Sequence, residues 1–334
     1  MAFRIGSISP TDERDLADAA ALETAFLREV LGADEPEFPP AAIVHEYLRP
    51  TRPDIDARCF VARDEDTGEA VGFALVDIRT GAGNEHMAWV PDLYVLPSHR
   101  RQGIGRQLLD ELLAIVREAG RTLVIGGHAG TSDDGRAFAA AIGAGGSNVE
   151  RQNRVRTADL DRALLESWTT SPSPGYSLLT WSDGIPEEHL DAFVRLHETM
   201  NDAPRPESVG PSVYSGEKIR ASEAERKLDG RTQWLVVARH DESGELAGYT
   251  EVVFGRHRPW LIEQGDTAVA AVHRGHGLGR LLKATNALRI LDEKPEATVI
   301  ETWNDGSNQW MLAINDAMGF RPVAEWHDAE LDLS

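Results

Sequence analysis

The sequence predicts an α/β chain of two consecutive domains, each with a mixed, mostly antiparallel sheet flanked by helices. Two observations carry that reading. Val95-Leu96-Pro97-Ser98-His99-Arg100-Arg101-Gln102-Gly103-Ile104-Gly105-Arg106 and Val269-Ala270-Ala271-Val272-His273-Arg274-Gly275-His276-Gly277-Leu278-Gly279-Arg280 are near copies, 174 residues apart in a chain of 334, so duplication is the first reading. Around each copy, hairpins of apolar strands alternate with helical stretches, the pattern of α/β domains with a mixed sheet.

In the first half, Phe3–Ile5 reads as a strand, and a helix is expected from Thr11 to Val30, after Pro10. Pro-rich loops (Pro36, Pro39, Pro40, Pro50, Pro53) lead to strands at Cys59–Arg63 and Ala70–Ile78, joined by an Asp64–Gly68 turn. A strand over His86–Val95 feeds the first loop. After its helix (Leu108, Leu109, Leu112, Leu113), Thr122–Gly127 is the next strand and Arg136–Gly143 a weak alanine-rich helix. Ser171-Pro172-Ser173-Pro174-Gly175 reads as a linker, and domains are expected over 1–168 and 169–334. The pattern then repeats: strand Tyr176–Trp181, helices Pro186–Met200 and Gly216–Leu228, and a hairpin of Trp234–Arg239 with Leu246–Phe254. Leu261–Val272 enters the second loop and its helix (Leu281, Leu282, Leu288, Leu291). Ala297–Thr302, a helix over Ser307–Met318 and closing strands in Pro322–Asp332 complete the second half.

Composition narrows the function. No apolar run approaches the roughly 20 residues of a membrane span, and Met1-Ala2-Phe3-Arg4-Ile5-Gly6 lacks a signal core, so a cytoplasmic protein is expected. One cysteine, Cys59, excludes an intrachain disulfide and any cysteine-rich metal site; it reads as a buried thiol. A net charge of −21 argues against a nucleic-acid partner and leans toward a cationic or amine substrate.

The repeated loop has the chemistry of a phosphate cradle. Glycines admit an anion close to the backbone, amides at a helix N-terminus point at it, and arginines add charge. A Walker loop is excluded because neither copy has Gly-Lys-Ser/Thr. A dinucleotide fingerprint is excluded because Leu108 and Leu282 stand where its third glycine belongs. What remains, Arg-x-x-Gly-x-Gly between strand and helix, resembles the loop of the GNAT acetyltransferase superfamily. Asn308 and Met318-Gly319-Phe320 match that superfamily's strand–Asn–helix–Gly-Phe ending. Thr267-Ala268-Val269, Thr302-Trp303-Asn304, Asn308 and Asn315 look like the C-terminal half of the tandem type found in actinobacteria. Mycothiol synthase is another tandem member, to which the residues give no specific match.

The resemblance implies acetyl-CoA as acyl donor and direct attack by a primary amine, with the C-terminal half catalytic. Cofactor contacts then fall on Val269, Ala270, Ala271, Arg274, Gly275, His276, Gly277, Leu278, Gly279, Arg280 and Asn308, with the Val269 N–H as oxyanion donor. A primary amine titrates near ~10, so a base must take its proton. Glu263 lies at the offset of the general base in histone-type members, and Asp266 where polyamine-type members place an acid. Asp92 holds the latter offset in the first half, where Trp89 replaces the glutamate. The tyrosine that many members aim at the departing sulfur is Asn315 here, which donates a hydrogen bond but no proton. Asn308 and Asn315, two helical turns apart, are expected to face the same arm. No metal is expected. His273 and His276 read as hydrogen-bonding or solvent-facing groups, and core packing is expected for at least one of Trp303 and Trp310.

The first half keeps its loop, so Val95, Arg100, Arg101, Gln102, Gly103, Ile104, Gly105 and Arg106 form a second candidate cofactor site. Ser132 and Ala139 stand where Asn308 and Asn315 do, and Gly143-Ala144 replaces Gly319-Phe320, so this half reads as a degenerate, structural copy. A small-molecule amine is the expected partner, with no membrane partner and a monomeric or homodimeric chain. The alternative is an acyl-CoA-binding sensor or ligand-sequestering protein without turnover.

Overall fold

The structure, a computed structural model, describes residues 2–48, 55–79, 83–170 and 173–334. Pro50, Pro53 and the linker residues Ser171 and Pro172 lie outside the described residues. Two compact units emerge, one of residues 1–149 with 324–334, the other of residues 150–323. The division therefore does not follow the expected 168/169 boundary, because each unit takes its last strand from the other half of the sequence.

In the first unit, β1 (Phe3–Ser7), β2 (Ile55–Asp64) and β3 (Ala70–Arg79) form an antiparallel meander. The expected single strand over 86–95 is broken into β4 (Met87–Trp89), which pairs in parallel with β6 (Leu123–Ala129), and β5 (Leu93–Val95), which pairs with β3. The last strand, β13 (Arg321–Asp332), pairs with β6 through Trp326–Asp332. Helix α1 (Glu13–Leu31), capped by Asp12, covers one face of the sheet through Ala19, Leu22 and Phe73. Helix α2 (Ile104–Glu118) covers the other through Leu108, Leu112 and Val116, each buried. Full burial of such a side chain contributes about 1.5–3 kcal/mol. Helix α3 (Asp133–Ile142) follows β6.

The second unit repeats this plan. β8 (Tyr176–Ser182), β9 (Arg231–His240) and β10 (Leu246–Gly255) form the meander. β11 (Leu261–Val269) pairs with β10 and, in parallel, with β12 (Val299–Asp305). The closing strand is β7 (Val149–Arg156), antiparallel to β12. Helices α5 (Leu190–His197) and α6 (Gly216–Leu228) precede β9; α7 (Leu278–Glu293) and α8 (Gln309–Ala317) flank β12. Two elements were not legible. β7 is mostly polar, with Val155 as its buried core residue, and forms where Arg154 and Gln152 reach Glu301 on β12. Helix α4 (Arg162–Thr170) is anchored by the buried Leu165 and packs on α7.

Candidate active sites

The two loops share their backbone geometry. Arg101 and Gly275 have φ of +62° and +84°, and Gly103 and Gly277 have +85° and +73°. At 101 a non-glycine residue is held in the left-handed region, where L side chains are strained. In both loops the arginine ties back to the strand before it: Arg100 Nε donates to Val95 O at 2.9 Å and Arg274 Nε to Val269 O at 3.1 Å. Helices α1, α3, α6 and α8 have side-chain N-caps, from Asp12, Ser132, Ser215 and Asn308. Helices α2 and α7 begin at Gly103 and Gly277 with no side-chain cap, leaving their first amides to an anion. The loop residues thus fit a pyrophosphate.

Beside each loop the sheet opens. In the first unit, Val90 N still donates to Ile125 O of β6, whereas Asp92 O already accepts from Leu75 N of β3. In the second, β11 pairs with β12 only through Gln264 and continues along β10 to Val269. Ala270 N donates to Ala247 O, so strand alternation turns the Val269 N–H away from β10, toward the side that β12 has left.

A bulge in the second unit gathers ionisable groups. Thr250 pairs with Thr267 and Val252 with Gln264, so Gly265 and Asp266 together oppose Glu251. Asp266 N lies 3.5 Å from Glu251 Oε1. Asp266 Oδ2 is 3.3 Å from both His197 Nε2 and the Tyr249 hydroxyl, which donates to it. Tyr214 stacks on His197 at 4.3 Å. Burial, and then the charge of Asp266, raise the Glu251 carboxyl above the usual carboxylate range. A side chain at Gly265 would meet Glu251 Oε1 at 2.7 Å, so the glycine makes room for that carboxyl. Glu263 is placed differently: Arg231 and Arg258 occupy its two oxygens.

The first unit holds a cavity of about 780 Å³. Its lining includes Gly103, Gly105, Val95 and Asp92, so one cavity joins loop, strand break and acid. Arg100 is bound on its two outer nitrogens, by Glu29 at 2.7 Å and Asp134 at 3.2 Å.

Residues 25–139 match the acetyltransferase (GNAT) family. Over its whole length the chain superposes on a tandem GNAT protein from the clavulanic acid biosynthesis pathway, with a TM-score of 0.80, 28% identity and 99% of that chain covered. In sequence over residues 25–139, and in fold over its whole length, the chain is thus similar to GNAT acetyltransferases. Two curated relatives are mycothiol acetyltransferases. That of Catenulispora acidiphila is 26% identical over 326 residues, 95% of each chain; that of Amycolatopsis mediterranei is 29% identical, covering 76% of this chain and 78% of its own.

Other residues take places the sequence did not give them. Asn308 caps α8, its Oδ1 accepting from Met311 N at 3.2 Å, as Ser132 caps α3. Asn315 is 1% exposed and donates to Asn304 Oδ1 at 2.7 Å, so it is packed in the interior. Trp303 and Trp310 are both exposed, against the expectation that one would be core. His273 is buried with its Nδ1 3.0 Å from the Tyr176 hydroxyl, and the His276 ring turns back on the loop's own carbonyls. The residues that sequence reading missed are Glu251, His197 and Tyr249. Glu251 sits on the neighbouring strand, and only the bulge brings it to Asp266. Among the described residues, no helix is long and apolar enough to cross a membrane.

Proposed function

We propose that the protein moves an acetyl group from acetyl-CoA to the primary amine of a small cationic molecule, at the second unit, by direct attack in a ternary complex. The observation that carries this is the Asp266–Glu251 pair, held with His197 and Tyr249 beside the strand opening. The loop of Arg274 to Arg280 would hold the pyrophosphate on the first amides of α7. The Val269 N–H, facing the opening, would donate to the thioester oxygen as it gains charge.

An ammonium substrate is attracted by the Asp266 carboxyl and the Tyr214 and Tyr249 rings. Asp266 takes one proton, the free amine forms the C–N bond as the C–S bond breaks, and the nitrogen's second proton passes through water to the departing thiolate. Glu251, whose burial favours its protonated form, accepts from the Asp266 backbone N–H and so fixes the bulge that presents Asp266. An acyl-cysteine has no candidate: Cys59, the one cysteine, is 2% exposed and burial pushes its thiol up. The test is CoA release, followed with a thiol reagent over an amine panel that includes the acceptor of mycothiol acetyltransferases. Asp266→Asn should lower turnover by about 10²-fold or more with acetyl-CoA affinity kept. Binding without release across the panel would favour the second reading, a sensor, which the absence of a tyrosine at Asn315 supports.

A further inference from the structure

We infer that the first unit is a second acyl-transfer centre, with Asp92 as its base and an amine on an apolar, aromatic body as its acceptor. This rests on the acetyl-CoA reading of the repeated loop, but not on turnover in the second unit. Sequence comparison of the halves points the other way, since Ala139 and Gly143-Ala144 replace Asn315 and Gly319-Phe320. Yet Asn315 is packed in the interior, so its absence here removes nothing from the reacting centre.

What the first unit keeps is the part that does the chemistry. Its loop has the same left-handed positions and an uncapped helix behind it. Leu96 N donates to Val71 O, so alternation turns the Val95 N–H away from β3, toward the gap left by β4. Asp92 stands at the break itself and lines the cavity. It has a carboxyl partner, though not at the equivalent place. The strand registers put Leu75 where the second unit has Glu251, and the partner, Asp77, stands two residues further along the same face of β3. Burial and the charge of Asp77 lift the Asp92 carboxyl to about 7, so it exchanges a proton near neutral pH.

The acceptor class follows from the walls. Around the second unit's Asp266 stand His197, Glu251, Tyr214 and Tyr249, polar groups suited to a polycation. The first cavity has Phe26, Val30, Leu93, Tyr94 and Trp326 in its lining, with Glu29, bound by Arg100 and the Tyr94 hydroxyl, among them. Phe26 packs on Tyr94 at 5.4 Å and on Trp326 at 6.0 Å between ring centres. The acceptor's ammonium would reach Asp92 with its apolar body among these rings. Asp92 takes one proton from it, the nitrogen bonds to the acyl carbon as the C–S bond breaks, and the nitrogen's second proton passes through water to the departing CoA thiolate. Nothing is oxidised or reduced.

The test compares 2-phenylethylamine with spermidine in the full chain, following CoA release. Asp92→Asn should lower phenylethylamine-dependent release by about 10²-fold or more and leave spermidine-dependent release within about twofold. Asp266→Asn should do the reverse, and calorimetry should show that Asp92→Asn still binds acetyl-CoA. Trp326→Ala, away from the reacting atoms, should raise KM for phenylethylamine alone, and it serves if Asp92→Asn does not fold. The inference is overturned if wild type releases no CoA with phenylethylamine, or if Asp266→Asn abolishes release with both amines. It is also overturned if neither Asp92→Asn nor Trp326→Ala separates the two. In the second case the proposed function of the second unit stands; if spermidine and the rest of the panel are also inert in wild type, that reading fails independently.

Discussion

The backbone N–H of Asp266 points at the side-chain carboxyl of Glu251 across 3.5 Å, so two acids from neighbouring strands meet at one bulge. Close carboxyls disfavour double ionisation, which with burial holds a proton on Glu251 above the ordinary range. The folded state therefore binds this proton more tightly than the unfolded chain. Its contribution to stability is full below the ordinary glutamate value and is lost as pH rises through the raised folded value. Glu251→Gln should lack that loss. Urea unfolding of both proteins between pH 4 and 8 should show the variant gaining on wild type as pH rises.

Gly265→Ala should separate that carboxyl from its task without unfolding the sheet. The new methyl meets Glu251 Oε1 at 2.7 Å, the far end of a flexible side chain, which swings aside. We expect kcat to fall by about 10- to 100-fold, with KM for acetyl-CoA unchanged. Glu251→Gln added to Gly265→Ala should cost little more than either alone, a comparison steady-state kinetics makes directly.

Glu263→Gln should leave turnover within about threefold, since Arg231 and Arg258 hold both oxygens and the carboxyl stands away from Asp266's partners. The pair is partly exposed, so the loss of stability should stay near the ~0–1 kcal/mol of such ion pairs. A 10²-fold loss of kcat would return the base to Glu263.

Lys283 and Asn286 lie on the buried face of α7, 1% and 0% exposed, where the repeat puts Leu109 and Leu112 in α2. Neither amide atom of Asn286 has a hydrogen-bond partner among the described residues. Burial pushes the Lys283 ammonium down to about 7. The unfolded chain keeps its lysine proton to near ~10, so stability rises with pH across that window. Lys283→Leu should raise Tm at pH 7, by about 2–4 °C per kcal/mol gained. The gain should shrink toward pH 10, as calorimetric scans at both pH values would show.

Gly277→Val forces a branched side chain into a φ of +73° at the start of α7, where no side-chain cap holds the first amides. Acetyl-CoA binding to the second unit should be lost, and spermidine-dependent release with it. Gly103→Val should remove binding to the first unit and leave spermidine turnover intact. Reversal of the two would exchange the roles of the units.

Much of this was legible because local chemistry dictated it. Left-handed positions read as glycine at 103, 275 and 277, and Arg101 is the exception that no pattern announces. The meander strands read from their apolar runs. Long-range pairing decided the rest. β7 is a mostly polar segment that becomes a strand where Val155 enters the core and Glu301 on β12 receives Arg154 and Gln152. The break between β4 and β5 depends on which neighbour each residue finds, β6 for Val90 or β3 for Asp92. Glu251 could be joined to Asp266 only through a two-against-one register.

The return of residues 324–334 to the first unit orders events in time. On the ribosome, the amino-terminal half must wait for residues 324–334 before β13 can pair with β6 and bring Trp326, Ala329 and Leu331 to its cavity. The unit synthesised first is thus the one finished last. A stop codon at residue 324 would spare the second unit's own strands and leave the first cavity without a wall.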